Sequence, residues 1–251
     1  MVHLGRQEVG ESVMRRFGFV TALILVGCAP IDLCSDDSYA LSRCLEPSFE
    51  DSYYIEQSQL YFNTMDSNEN RDLGPNYSEQ VVRWEWPPWL KLTAFGRDDI
   101  IESDLLLRLY ESTVPVRECR AFDEQPFGRC RVTFYYADHD GKGCPIYEEF
   151  TFNDDGEVTF IEAWSDLPGM LPMPETDTWA EGDEVSRLSA RIPGLGNSAG
   201  AIDLDSEAMA TAAGLDSDVA DFVARARDWR AAWLVELEAA GDDLWERGCG
   251  W

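Results

Sequence analysis

Two glutamates stand out in "IYEEFTFNDDGEVTFIEAW", residues 146–164. Asp154-Asp155-Gly156 suits a three-residue hairpin loop with glycine in the left-handed position. That loop sets Asn153 opposite Glu157, Phe152 opposite Val158, Phe150 opposite Phe160, Glu148 opposite Glu162 and Ile146 opposite Trp164. Slipping by one residue sets Phe152 against Thr159 and mixes the faces, so the apolar pattern selects the first register. Glu148 and Glu162 are then expected to meet on a face otherwise made of Ile146, Phe150, Phe152, Val158, Phe160 and Trp164. Like charges directly opposite destabilise a sheet, and burial raises a carboxyl pKa. One glutamate would stay protonated near neutrality beside an ionised partner, which suits acid/base proton transfer. The same pair could hold a divalent cation. Alternatively, water or an arginine such as Arg129 or Arg131 relieves the repulsion at an open mouth. Asp166, just past Trp164, is a further candidate at the rim.

Other catalytic sets are poorly supplied. The histidines are His3 and His139. His139 lies in the turn-like "DHDGKG", so neither a Ser-His-Asp nor a Cys-His site is expected. In "DHDGKGCPIYEE", Asp138, Asp140, Gly143 and Glu149 match positions 1, 3, 6 and 12 of a calcium loop. Lys142 sits where an oxygen ligand belongs, so a hairpin connection is expected there instead. "DSNENRD", from Asp66, lacks both the glycine and the closing glutamate. No metal site and no cofactor are expected. Trp84, Trp86 and Trp89 offer an aromatic platform for a sugar or lipid, or they close a core beneath Pro87-Pro88.

These residues need elements to place them. Ser35–Leu45 and Glu50–Met65 read as helices, and the polar link 66–76 comes after them. Asn76 or Ser78 caps a short helix into Trp84 and Trp86, which Pro87-Pro88 stops. Trp89–Phe95 reads as a strand. "GRDDIIESDLLLRLY", residues 96–110, reads as an amphipathic helix with Ile100, Ile101, Leu105 and Leu109 on one side. Strands over 114–122 and 130–137 flank "DEQPFG", and strands over 146–152 and 157–164 flank "NDDG". Residues 165–215 read as a long ordered loop with one short strand near Ser189–Ile192. One helix from Asp218 to Leu237 packs Val219, Phe222, Val223, Ala226, Trp229, Trp233 and Leu237 on the body.

This order of elements over residues 50–166 resembles the nuclear transport factor 2-like superfamily, especially its SnoaL-like branch. The strand-turn-strand carried by Phe150, Phe152, Asp155, Gly156 and Val158 is similar to one common there. The resemblance implies an α+β fold, with N-terminal helices on a curved antiparallel sheet forming a cone around a pocket. Phe150, Phe160 and Trp164 would line that pocket. In an enzyme of this type, Glu148 and Glu162 would act as acid and base. The loop-rich extension and C-terminal helix of 167–251 fall outside the resemblance.

The N-terminus points to the envelope. Arg15 and Arg16 precede the apolar run Phe17–Gly27, which is shorter than the ~20 residues a membrane span needs. Leu25-Val26-Gly27-Cys28 looks like the lipobox of bacterial lipoproteins. It implies a signal over 1–27, lipid on Cys28 and a tether over 28–49. Read from Met14, the signal is compact. Ala29 favours an outer membrane where the cell has one. Setting Cys28 aside leaves six of the seven cysteines, an even number suited to an oxidising compartment. Proximity pairs Cys119 with Cys130 across a loop from Asp123 to Pro126, Cys34 with Cys44, and Cys144 with Cys249.

Acidic residues number 48 against 20 basic, for a net charge of -28, so nucleic acid and anionic headgroups are repelled. The membrane partner is therefore reached through lipid. Hydrophobic content of 45% suffices for a packed core, unlike that of a disordered acidic chain. The leading expectation is a lipid-anchored envelope protein that binds a small apolar ligand or a protein partner without catalysis. A SnoaL-like enzyme using the glutamate pair is the alternative. A structural envelope component facing a cationic partner is the third.

Overall fold

Helix α1 (Asp51–Asn63) places Tyr54, Ser58, Tyr61 and Phe62 on one buried face, at the three- and four-residue spacing of a helix. The computed structural model describes residues 45–170, 179, 187–195, 199–241 and 243–251. The lipobox, Cys28, the Cys34–Cys44 pair and all of the helix expected over Ser35–Leu45 except Leu45 lie outside the described residues.

After the polar link comes a strand, β1 (Tyr77–Glu85), and not the expected short helix. In "VVRWEW" branched and aromatic residues alternate with charges, which favours a pleated surface. Val82 and Trp84 face one way, while Val81, Arg83 and Glu85 face the other. The strand expected over 89–95 shrinks to β2 (Ala94–Phe95), and α2 (Arg97–Leu107) comes next. Strands β3 (Ser112–Ala121), β4 (Gly128–Tyr136), β5 (Lys142–Phe152) and β6 (Val158–Ser165) form two hairpins joined by the β4–β5 connection. The "DHDGKG" segment forms that connection, with a 3-10 turn at Ala137–His139 and Asp140 in the left-handed region.

The sheet order is β2-β1-β6-β5-β4-β3. All neighbours are antiparallel except β1 and β6, which run parallel, so the α+β fold is as expected but its sheet is mixed. Both faces are covered. On the inner face, α1, α2 and the C-terminal helices α5 (Trp229–Ala240) and α6 (Asp243–Cys249) form the larger core. On the outer face, residues 187–195, α3 (Glu207–Leu215) and α4 (Ser217–Ala226) pack on Val82, Trp84 and Phe160.

The single helix expected over 218–237 is thus two. The chain breaks at Asp228, whose φ of -149° and ψ of 55° are not helical. One straight helix cannot serve both faces: Val219 and Phe222 join the outer core, and Trp229 and Trp233 the inner one. The short strand expected near Ser189–Ile192 is a 3-10 turn, Ser189–Arg191.

Two disulfides close this frame. Cys119–Cys130 bridges facing residues of β3 and β4, where Phe122 N donates to Phe127 O across the expected loop. Cys144–Cys249 ties α6 to β5. Stable disulfides imply an oxidising environment. No helix among the described residues is long and apolar enough to cross a membrane.

Cys144–Cys249 spans a sequence separation of 105 residues and Cys119–Cys130 only 11. Loop-closure entropy grows with loop length. The double substitution Cys144→Ala/Cys249→Ala is therefore expected to cost about 2–5 kcal/mol in denaturant unfolding. Cys119→Ala/Cys130→Ala should cost less; the reverse order would refute this origin of the stability.

Candidate functional site

The "NDDG" turn forms as its residues dictate. Gly156 takes φ +76°, Asn153 N donates to Glu157 O at 3.0 Å, and Phe152 faces Val158. One residue later the expected register fails. A bulge gives β6 the extra residue Thr159, so Thr151 faces Phe160, Phe150 faces Ile161, Glu149 faces Glu162, Glu148 faces Ala163 and Ile146 faces Ser165. Glu148 and Glu162 therefore lie on opposite faces and form no pair. Apolar alternation selects a register only where one face is wet, and every residue of β6 is buried.

On the outer face Glu149 and Glu162 do meet, and separate donors relieve each. Arg187 grips Glu149 with two bonds, Nε to Oε2 at 2.6 Å and Nη2 to Oε1 at 2.8 Å. Arg129 Nε stands 3.4 Å from Glu149 Oε1, and the Tyr147 hydroxyl donates to the same oxygen. Glu162 accepts from Leu188 N at 2.6 Å, Ser189 N at 3.0 Å and Trp86 Nε1 at 3.0 Å. Burial raises the Glu162 pKa and Glu149 adds to this, while Ser189 and Trp86 oppose it. Glu162 thus fastens the 187–195 segment to the sheet. Phe160 packs on Phe222, and Trp164 stacks on Trp86, so of the expected lining residues only Phe150 faces inward. Asp166 accepts from Arg131 Nε at 2.7 Å and does not line the inner cavity.

A cavity of about 80 Å³ lies on the inner face. Its walls are largely apolar, from Trp89, Leu107, Phe134 and Ile146 and from Trp233, Leu244 and Trp245 of α5 and α6. Its charged part is Arg83, Glu85 and Glu148. Arg83 Nη2 donates to Glu85 Oε1 at 2.8 Å and stands 3.9 Å from Glu148 Oε1, with the guanidinium 5.4 Å from the Tyr61 ring centre. Burial pushes the Glu148 carboxyl up to about 8; Arg83 opposes, but Glu85 and Asp104 share its charge. Burial likewise lifts Asp104 to about 6, against the pull of Arg83, the Thr64 hydroxyl, Arg108 and Tyr77. The Arg83 guanidinium thus has Glu85, Glu148 and Asp104 around it. Among the described residues, Glu148 Oε2 and Arg83 Nε and Nη1 have no hydrogen-bond partner. A protonated carboxyl beside a cation can hold a carbonyl or hydroxyl oxygen, or pass it a proton.

Arg83, Glu85 and Asp104 are absent from the site expected on sequence grounds. A helix over 78–86 hides Arg83 and Glu85, although period-two alternation puts them together on one face. The apolar side of α2 expected through Ile100, Ile101, Leu105 and Leu109 hides Asp104. The face that packs is Ile100, Ser103 and Asp104, so Ile100 is buried as expected while Ile101, Leu105 and Leu109 are exposed. The tryptophans divide: Trp84 and Trp86 serve the outer face, and Trp89 the cavity. His139 packs 4.9 Å from the rings of Trp245 and Trp251. Among the described residues no group of three or more His, Cys, Asp or Glu could hold a metal ion.

No protein-family model matches this chain, and no curated protein matches it in sequence. Solved structures resemble part of it. A candidate ketosteroid isomerase from Kribbella flavida aligns with 55% of this chain and 96% of its own, at 16% identity and a TM-score of 0.37. A candidate SnoaL-like polyketide cyclase from Mesorhizobium loti aligns with 43% and 95%, at 12% identity and a TM-score of 0.31. A SnoaL-like protein of unknown function from Burkholderia thailandensis aligns with 47% and 97%, at 12% identity and a TM-score of 0.32.

Glu148 holds its proton up to about pH 8 in the folded chain, against an ordinary value of 4.5. Its contribution to stability is therefore complete below pH 4.5 and is lost as pH rises through 8. Glu148→Gln should melt above the parent at pH 8.5, by about 2–4 °C for each kcal/mol of desolvation removed, and the gap should close by pH 5. Parallel melting curves at both pH values would show that Glu148 titrates normally.

Proposed function

We propose that this is an exported, lipid-anchored cell-envelope protein whose α+β domain binds a small, largely apolar ligand by one polar group. The observation that carries this reading is Glu148 Oε2, which has no hydrogen-bond partner among the described residues, beside Arg83 in an aromatic cavity. A buried polar atom without a partner costs ~1–3 kcal/mol, which a ligand oxygen recovers on binding. With α5 and α6 in place the cavity holds a group of a few heavy atoms, so the buried part of the ligand is small. Two disulfides support export, and the lipobox-like Leu25-Val26-Gly27-Cys28 supports the anchor.

Catalysis is the second reading, favoured by the same carboxyl. Protonated at neutral pH next to a cation, Glu148 is placed to act as an acid toward a carbonyl oxygen. Glu162 has no part in such a step.

Native mass spectrometry of the exported chain before and after denaturation tests the ligand. A mass released on denaturation from the parent, and at least tenfold depleted in Glu148→Gln, is expected; no released mass would sink the reading. Turnover of the identified molecule that vanishes in Glu148→Gln would promote the enzyme over the carrier. Separately, Cys28→Ser should abolish incorporation of labelled fatty acid and move the protein out of the detergent phase. Retention of label in that variant would refute the anchor.

A further inference from the structure

A second concavity, of about 690 Å³, lies between the 71–77 link and α2 and shares no lining residue with the inner cavity. Arg71, Arg97 and Arg108 line it. In a chain with 48 acidic residues and 20 basic ones, arginines readily find carboxylates. Arg117 pairs with Asp66, Arg191 with Asp216 and Asp218, and Arg225 with Asp221 and Glu236. The three groove arginines form no ion pair among the described residues. They donate instead to backbone carbonyls: Arg71 Nε to Asp66 O, Arg97 Nε to Tyr77 O, and Arg108 Nε to Thr64 O with Nη2 to Arg71 O. Such bonds hold each planar guanidinium in place without neutralising it, and they leave further N–H donors over.

A second observation comes from Asp104, which belongs to the same lining and is only 3% exposed. Its Oδ1 has no hydrogen-bond partner among the described residues, while Oδ2 accepts from the Tyr77 hydroxyl at 3.5 Å. Asp72 and Glu157 complete the charged lining, and the Glu157 carboxylate accepts from Asn153 Nδ2. A third observation is apolar. Ile101 and Leu105 of the lining are 47% and 53% exposed, and Leu109 continues the row at 74%. Spaced four residues apart, they make a ridge about 12 Å long.

We propose that this groove binds a small amphiphilic anion, with an oxyanion head held by Arg71, Arg97 and Arg108 and an apolar chain lying on Ile101 and Leu105 toward Leu109. The head is a carboxylate, sulfate or phosphate ester, since planar guanidinium forks match all three. Protonated Asp104 donates to the head through Oδ1. The groups that face Asp104 are Tyr77, Arg83, Arg108, Thr64 and Glu148, and the balance of burial and these neighbours sets it near 6. A bound anion raises that value further, so binding takes up a proton and tightens as pH falls.

Octyl sulfate, whose charge does not change with pH, is the probe, titrated into the full exported chain by calorimetry. One site is expected, several-fold tighter at pH 5.5 than at pH 7.5, with octanol and inorganic sulfate each binding at least tenfold more weakly. Arg97→Gln should weaken binding about tenfold, and Asp104→Asn should flatten the pH dependence. Leu105→Ser should weaken octyl sulfate but not sulfate. Arg227→Gln, which removes an exposed arginine paired with Asp205 outside this lining, should leave the affinity unchanged, which separates the groove from the chain's overall charge. Octanol binding as tightly as octyl sulfate, or an unaltered affinity in Arg97→Gln, would overturn the proposal. Phosphatidylglycerol vesicles distinguish a free amphiphile from a membrane headgroup: octyl sulfate binding without vesicle binding is expected, and vesicle binding alone would overturn it.

Discussion

Carboxylates buried on both sides of one sheet are the constraint around which the rest of this structure is arranged. Strand β6 is covered throughout, and with β5 it carries Glu148 inward and Glu149 and Glu162 outward. A buried charge must find donors or give up its ionisation. The two faces answer differently. Outside, Arg187, Arg129 and three N–H donors meet the carboxylates in full. Inside, the Arg83 guanidinium is divided among Glu85, Glu148 and Asp104, and Glu148 remains protonated near neutrality.

The outer arrangement is structural. By accepting from Leu188 and Ser189, Glu162 draws the 187–195 segment onto the sheet and sets Leu188, Ile192 and Leu195 into the outer core. The carboxylate that alternation placed in an active site serves here as an anchor for an otherwise irregular segment. Replacing its three donors with water is not open to it, because Phe222, Trp84 and their neighbours seal that face.

The inner arrangement is the one with chemical potential, and the C-terminal helices set its size. Trp233, Leu244 and Trp245 occupy space that would otherwise enlarge the cavity. The Cys144–Cys249 bond and the Ser165 hydroxyl, which donates to Gly248 O, hold α6 against the sheet. At Gly248 a side chain would strike the Trp89 ring, so glycine permits this close approach. The same helices leave the opposite side of α2 uncovered, where three arginines and an apolar ridge remain at the surface.

By itself, the sequence determined whatever acts over a few residues. Gly156 takes its left-handed turn, Cys119 faces Cys130 across a short loop, and α1 and α2 form where apolar spacing and composition place them. The net charge is an equally local reading. Only the tertiary structure decided which side of each element is buried. Alternation in "EVTFIEAW" points to one register while one face is assumed wet; once residues 187–195 and 199–226 cover the other face, a bulge at Thr159 costs little and both sets of side chains are buried. The donors that give each glutamate its role come from afar: Arg187 lies 38 residues from Glu149, and Leu188 lies 26 from Glu162. Such partners leave no mark on local periodicity, since their pairing arises only when the chain has folded over the sheet.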